Sequence, residues 1–259
     1  MRTNTRPAML LCLSLTLAAQ AFPPTLTTIH NFTGNGANGS GCANCDGAVP
    51  SGGIVIGNGG VLYGTTEYGG SAGYGTVFSL TPPQTAGGAW TESILHNFSF
   101  ADGTNPYGSL TIGTGGVLYG PAQYGGNANC AVQGQAQGCG TIFSLTPPAS
   151  PGGAWKQTVL HTFAGGPSDG LYPNSLAFGS GGVLYGTTQS GGTADAGTLF
   201  SLTPPSSGGG SWTETVLYSF TGGSDGDDPT SVVMGSGGVL YGTTNGGISN
   251  YGTVFSFTP

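Results

Sequence analysis

The sequence predicts an all-β fold, a four-bladed β-propeller built from four-stranded antiparallel blades. The hexapeptide Gly-Gly-Val-Leu-Tyr-Gly occurs four times, starting at Gly59, Gly115, Gly181 and Gly237. Each copy lies in a longer module with four short segments of β-branched and aromatic residues, bounded by Gly, Pro or Asp. No helical periodicity competes with these segments after residue 22. A repeated module of this length is typical of one blade in a larger assembly.

The composition indicates a packed, acidic protein. Of the 259 residues, 53 are Gly and 17 are Pro, a content that signals disorder when it has no period. Here the glycines keep a fixed spacing from apolar residues, so we expect ordered modules. The formal net charge is −7 with only three basic residues, which disfavours nucleic acid and anionic membranes as partners.

Residues 1–21 are predicted to be a secretory signal peptide. Arg2 and Arg6 precede an apolar stretch over residues 8–18, and residues 19–21 form a small-x-small cleavage site. The alternative, an uncleaved anchor helix, needs about 20 apolar residues, roughly twice the length present. We therefore expect a secreted protein, extracellular or at the cell surface with the periplasm as an alternative, and no membrane insertion after cleavage.

Four cysteines follow the signal segment: Cys42, Cys45, Cys130 and Cys139. An even number in an oxidising compartment predicts disulfides, and their pairing stays open among three connectivities. The C-x-x-C spacing allows zinc as an alternative, which export disfavours.

The first three segments of each module are predicted to form two hairpins. The first segments are residues 54–56, 110–112, 176–178 and 232–234. A Gly-Gly turn follows each, because tight hairpins place central residues at positive φ, where glycine costs least. The second segments are residues 61–66 and their repeats, and the third are residues 76–80, 141–145, 198–202 and 253–257. Pro-Pro then ends pairing in the first three modules, because proline has no backbone donor.

The fourth segment, residues 90–98, alternates with a period of two. Trp90, Glu92, Ile94, His96 and Phe98 are predicted to share one face of the strand. Residues 155–163 and 212–220 have the same pattern. Thr91, Ser93, Leu95 and Asn97 are predicted to lie on the opposite face. A one-residue slip would reverse both faces, so we expect a strongly specified register.

The two ends of the chain predict how the ring closes. Residues 29–32 match residues 95–98 of a fourth segment, whereas the last module stops after its third segment. We predict that an N-terminal strand, residues 25–32, pairs into the last blade and closes the propeller. The alternative is half of an eight-bladed ring made by two chains, and the oligomeric state stays open. The predicted domain spans residues 22–259, with blades at 46–98, 102–163, 169–220 and 225–259.

The order of the motifs resembles a known family. D-G-x-x-P, G-G-V-L-Y-G-T-T, G-G, G-T-V-F-S-L-T-P and W-T-E-x-x-L follow one another in the first module and recur with substitutions in the others, and the order resembles the GloVer-type, or choice-of-anchor, tandem repeat of exported bacterial proteins. The resemblance covers nearly the whole chain after the signal segment. It implies export and a tandem β architecture, and it brings no reaction with it.

Sequence variation is concentrated on one predicted face of the propeller. That face holds the Asp-Gly-x-x-Pro loops, the loops after the second strands and both cysteine-bearing inserts. Variable loops on a fixed scaffold are where ligands bind most often. We predict that four tyrosines of these loops stack on a glycan: Tyr68, Tyr74, Tyr124 and Tyr251. The alternative is that these rings only cover glycine-rich loops.

No metal or other cofactor is predicted, with calcium as the alternative. The calcium candidate is Asp225, Asp227 and Asp228, although three carboxylates fall short of a shell of six to eight oxygens. Three histidines share one repeated outer-strand position in different blades, so we predict that they pack and do not converge on a metal: His30, His96 and His161. Four aspartates open Asp-Gly turns and are expected to accept backbone N–H groups: Asp46, Asp102, Asp169 and Asp225.

The sequence offers no recognisable catalytic constellation. Glu92 and Glu214 are repeat-equivalent, which indicates a structural role, and Glu67 has no evident acid partner. Nothing suggests a nucleophile elbow or a Cys-His pair. We therefore predict that the protein is not an enzyme but an exported, non-catalytic binding module for an extracellular glycan or protein. The alternatives are a surface or matrix structural protein and a polysaccharide-active hydrolase or lyase.

Overall fold

The strands form four antiparallel sheets, three with four strands and one with three. The computed structural model describes residues 25–34, 45–130, 137–150, 152–206, 210–248 and 251–259. The predicted all-β class with four repeated sheets is confirmed. The predicted signal peptide lies outside the described residues. No helix in the described part of the chain has the length and apolar character needed to cross a bilayer.

Each sheet follows the order of the chain, so we name the sheets blades 1 to 4. Blade 1 consists of β1 (Val55–Ile56), β2 (Leu62–Thr66), β3 (Thr76–Thr81) and β4 (Thr91–Asn97). Blade 2 consists of β5 (Thr111–Ile112), β6 (Leu118–Ala122), β7 (Thr141–Thr146) and β8 (Lys156–Thr162). Blade 3 consists of β9 (Gly170–Phe178), β10 (Leu184–Gly191), β11 (Thr198–Thr203) and β12 (Thr213–Ser219). Blade 4 consists of β13 (Asp227–Met234), β14 (Leu240–Gly246) and β15 (Thr253–Phe257).

The turn between the first and second strands is the same in all four blades. In blade 1, Gly59 and Gly60 have φ values of 69° and 76°. The Gly57 N–H donates to the Val61 carbonyl at 2.8 Å and closes the hairpin. A Cβ is costly at positive φ, so the predicted need for two glycines here is confirmed.

The hydrophobic core lies between neighbouring blades. A phenylalanine at the end of each fourth strand packs edge-to-face on a phenylalanine in the third strand of the next blade. These pairs are Phe98–Phe143, Phe163–Phe200 and Phe220–Phe255, with ring centroids 5.0, 5.3 and 5.2 Å apart. The first strands also pack across the blades, because β9 contacts β5, β6 and β13.

The fourth strands differ from the strict alternation that we predicted for residues 90–98. β4 pairs His96 with Val77 and Ile94 with Phe78, so Leu95 is an extra, bulged residue. Leu95 packs against the core instead of pointing away from it with Thr91. The same shift recurs in the other two four-stranded repeats, at Leu160 and Leu217.

The predicted closure of the ring is not formed in this structure. Residues 25–34 form no strand, and no described residue of this segment pairs with β15. Phe32 instead packs on Phe78 of β3 at 4.9 Å, as the end of a preceding fourth strand would. Blade 4 therefore remains three-stranded, because its expected partner is docked on blade 1.

Candidate functional site

A histidine and an aspartate meet at each of the first three junctions along the chain. We call these junctions seams 1, 2 and 3. In seam 2, the His96 Nε2 donates to the Asp102 Oδ2 at 2.8 Å, and in seam 1 His30 and Asp46 are 3.1 Å apart. Asp102 also accepts the Ser99 N–H at 2.7 Å, as the Asp-Gly motif predicts. These two hydrogen bonds fix the end of β4 and the N-terminal segment to the loops that enter the next blade.

Backbone hydrogen bonds join the Asp-Gly-x-x-Pro loop to the preceding blade and to its own blade. The residue before its proline has a left-handed conformation in every blade, with φ of 50° to 63°: Val49, Asn105, Tyr172 and Asp228. The Asn105 N–H donates to the Tyr74 carbonyl of blade 1, and its carbonyl accepts the Gln123 N–H of blade 2. Such strained residues persist only where their surroundings fix them. The loops are therefore rigid supports for the side chains around them.

The fourth strand of the next blade brings a third polar group to each seam. These groups are Glu92, Gln157 and Glu214, and each has a buried polar atom without a hydrogen-bond partner among the described residues. Burial raises the pKa of Glu92, and the negative charge of Asp46 raises it further. The position thus holds a partly buried carboxyl or amide beside an aspartate.

Seam 3 differs from the others because its histidine and aspartate do not share a hydrogen bond. The His161 Nε2 is 3.7 Å from the Asp169 Oδ1, and it is buried without a partner among the described residues. The Asp169 Oδ1 accepts the Gly170 N–H at 2.7 Å instead. Ligand atoms of His161, Asp169 and Glu214 lie within 4.8 Å of one another. Seam 3 therefore contains three polar groups that surround a common point.

The electrostatics of seam 3 favour a positive charge at that point. Burial and, next, the negative charge of Asp169 raise the pKa of Glu214 to about 7, against the opposing effect of His161. In seam 2, burial also acts to raise the pKa of Asp102, but hydrogen bonds from His96 and Ser99 lower it overall. One imidazole nitrogen and two carboxylates form a donor set that suits zinc and similar divalent ions.

A cavity of about 1090 Å³ lies beside seam 3. Residues 164–167, which connect His161 to Asp169, form part of its wall. The cavity is also lined by Tyr172, Asp195 and the Cys130–Cys139 disulfide, whose Cα atoms are 5.7 Å apart. Cys45 is also disulfide-bonded, whereas the predicted Cys42 lies outside the described residues.

The predicted tyrosines are distributed over the loop face. Tyr124 packs edge-to-face on Tyr172 at 4.9 Å, and burial followed by the proximity of Tyr68 raises the pKa of Tyr124. Tyr74 is partly exposed, and Tyr251 is 89% exposed. Sequence analysis did not single out Tyr172, although its place before the proline of Asp-Gly-x-x-Pro distinguishes it. Glycan stacking on these rings stays a prediction.

The three acids of the calcium candidate have different surroundings. Asp225 accepts hydrogen bonds from Tyr218 and Thr221, whereas Asp228 accepts one from Asn245 at 2.8 Å. Asp227 begins β13. Within the described ranges, only seam 3 gathers three or more possible metal ligands, and the calcium site stays a prediction. Sequence analysis assigned His161 and Glu214 to structural roles because their positions repeat. It did not predict that the histidine and the aspartate of seam 3 would lack a mutual hydrogen bond.

Several solved structures resemble this chain at low sequence identity. A gluconolactonase from Xanthomonas campestris is 16% identical, with 80% of this chain and 57% of that chain covered and a TM-score of 0.47. A second structure, a putative gluconolactonase, is 16% identical over 80% of this chain and 59% of that one, with a TM-score of 0.45. The PQQ-bound aldose sugar dehydrogenase from Streptomyces coelicolor is 14% identical over 83% and 67%, with a TM-score of 0.46. The chain thus spans about three fifths of the two gluconolactonases, and at this identity the likeness concerns the fold alone.

The prediction of a non-catalytic binding module was wrong. The solved structures that resemble this chain are described as gluconolactonases and a sugar dehydrogenase, which are enzymes. No curated protein matches the chain.

A family comparison agrees with the repeated motifs. The Gloeobacter/Verrucomicrobia repeat matches residues 129–259, which include the second half of blade 2 and all of blades 3 and 4. This match covers just over half of the sequence and confirms the resemblance read from the motifs. The chain therefore belongs to the Gloeobacter/Verrucomicrobia repeat family.

Proposed function

We propose that this protein binds a divalent transition-metal ion in seam 3 and uses it for hydrolysis outside the cytoplasm. The observation that supports this proposal is the open arrangement of His161, Asp169 and Glu214, whose ligand atoms lie within 4.8 Å of one another. Two of these side chains have a buried atom without a partner among the described residues. A cation at the centre would satisfy both atoms.

The repeats provide an internal comparison for this assignment. In seams 1 and 2, the histidine is already hydrogen-bonded to its aspartate, so its Nε2 is occupied. Seam 2 also has Gln157 in place of a carboxylate. Only seam 3 combines an available imidazole nitrogen with two carboxylates in the described part of the chain. A seam that only joins two blades would not need a histidine without a hydrogen bond beside two carboxylates.

The donor set and its surroundings support a hydrolytic role. Three protein ligands leave a coordination position for water or substrate, which is the arrangement of catalytic rather than structural zinc sites. A divalent ion held there would supply Lewis-acid chemistry. Glu214 has a pKa of about 7, so it releases its proton to become a ligand near neutral pH. The adjacent cavity has polar walls that include Asp195, Asn129 and the phenol of Tyr172, which suits hydroxyl-rich substrates.

Disulfide bonding supports a site of action outside the cytoplasm. Cys130 and Cys139 are joined in the structure, and disulfides persist mainly in oxidising compartments. The predicted signal peptide over residues 1–21 is consistent with this location.

Zinc titration by calorimetry tests the proposal, using protein stripped of metal with EDTA. We expect one zinc ion per chain, and we expect Glu214→Gln to weaken binding at least tenfold. Glu92→Gln is the matched control, because it removes the equivalent carboxyl of seam 1 and should leave zinc binding unchanged. Absence of zinc binding, or equal weakening in both variants, contradicts the site. Hydrolysis of a panel of carbohydrate esters and lactones, present with zinc and lost in Glu214→Gln, tests the catalytic step separately.

A further inference from the structure

Among the described residues, no strand pairs with the outer edge of β15, unlike the third strand of every other blade. Val254 of β15 is 81% exposed, whereas its repeat equivalents Val77, Ile142 and Leu199 are at most 1% exposed. Those three residues are buried in core clusters that they form with the next blade. A fourth strand also pairs beside each of these third strands. An open edge with an apolar residue at its centre readily accepts another strand.

Residues 25–32 have the position of a fourth strand without a sheet of their own. Phe32 packs on Phe78 at 4.9 Å, and His30 packs on Phe32 at 4.7 Å. The equivalent contacts of His96 and Phe98 measure 4.8 and 5.0 Å. The side chain of Leu26 is nevertheless fully exposed. The segment is therefore docked on the blade that follows it, and its pairing edge is free.

The two free edges are complementary in sequence. Aligning residues 29–32 with residues 95–98 places Thr27 opposite Ser256 of β15. The three complete blades have a pair of small hydroxyl residues at this place: Ser79–Ser93, Ser144–Thr158 and Ser201–Thr215. The same register places His30 opposite Val254 and brings Leu26 opposite Phe257. Leu26 is fully exposed and Phe257 half-buried in the single chain, so this pairing would bring two apolar side chains together.

We propose that β15 pairs with residues 25–32 of a second copy of this chain, and that two copies related by a two-fold axis close one eight-bladed ring. The chain's own segment is held on blade 1 by Phe32 and by the His30–Asp46 hydrogen bond. Blade 4 packs on blade 3 through β13. In a two-fold assembly each copy donates one strand and accepts one, so both edges are removed. This proposal is independent of the metal site.

Cysteine cross-linking and mass measurement test this interface. In the exported chain carrying Thr27→Cys and Ser256→Cys, we expect spontaneous disulfides between copies, detected as mixed peptides when ¹⁴N- and ¹⁵N-labelled proteins are combined. The control pair is Thr27→Cys with Ser79→Cys, which should not cross-link because Ser79 is already paired with Ser93. Cross-links within one chain, or none, overturn the proposal.

Light scattering provides a second readout that does not depend on cross-linking. We expect the mass of two chains for the unmodified protein. Val254→Lys places a charge on the exposed edge and should yield the mass of one chain, with an unchanged far-ultraviolet circular dichroism spectrum. A single-chain mass for the unmodified protein contradicts the two-copy ring, and a two-chain mass that persists in Val254→Lys contradicts pairing at β15.

Discussion

Replacing Glu214 by Gln in metal-free protein should change how stability depends on pH. The pKa of Glu214 is raised from its ordinary value of 4.5 to about 7, first by burial and then by the charge of Asp169. The folded protein therefore holds this proton more tightly than the unfolded chain does. The contribution is fully present below about pH 4.5 and is lost as the pH rises through about 7.

The size of this effect follows from the shift. Each pKa unit corresponds to about 1.4 kcal/mol, so the full shift amounts to about 3 kcal/mol. Glu214 is only partly buried, and screening by water reduces the expected value to about 2 kcal/mol. Glu214→Gln lacks the ionising group, so we expect it to equal the wild type near pH 4 and to be about 2 kcal/mol more stable at pH 8.

Thermal unfolding in EDTA between pH 4 and pH 8 measures this difference. For a protein of this length, about 2 kcal/mol corresponds to an increase in Tm of about 4–8 °C at pH 8. The reverse substitution in seam 2, Gln157→Glu, should lower the Tm at pH 8 and leave it unchanged at pH 4. Zinc should invert the order at pH 8, because the wild type binds the ion more tightly and gains more stability from it. A Glu214→Gln variant that is less stable than the wild type at pH 8 in EDTA would refute the reasoning.

Three further predictions concern the fold. Gly120→Ala should lower the free energy of unfolding by about 3 kcal/mol, because the new methyl carbon would lie 2.8 Å from the Phe143 ring. Gly115→Ala, at φ 71° with open space around it, should cost only about 1 kcal/mol, and equal losses in urea denaturation would contradict this account. Phe163→Ala removes a fully buried ring and should cost about 3–5 kcal/mol by the same assay, whereas a loss below about 1 kcal/mol would show that the rings between blades contribute little. Cys139→Ser opens a disulfide between residues nine apart and should cost about 2.5 kcal/mol, a difference that disappears when the wild type is measured with reductant.

The sequence could predict the parts of the fold that depend on neighbouring residues. The Gly-Gly turns follow from the positive φ that a tight hairpin requires, and Gly59 and Gly60 have it. The bulge at Leu95 could not be foreseen, because one extra residue leaves the alternation of the flanking residues looking regular. The closure at β15 also failed as a prediction, since similarity between two segments does not determine which edge a docked segment occupies.

The candidate site illustrates a similar limit. His161 and Asp169 were each noticed, but as a packed histidine and a turn residue, because repetition of a position argues for structure. Their combination with Glu214 depends on how two blades meet, which local pattern does not encode. The sequence contained one signal: the position that is glutamate at residues 92 and 214 is glutamine at residue 157, so the three copies differ in chemistry.

The seams have a consequence for how such chains change in length. At each junction, a residue near the end of one repeat packs against a residue of the next repeat, as Phe98 does against Phe143. Unequal recombination that adds one whole unit therefore adds one junction, formed by residues that the unit already carries, and no new contact has to evolve. The number of repeats can therefore change during evolution while the contacts that stabilise each junction are kept.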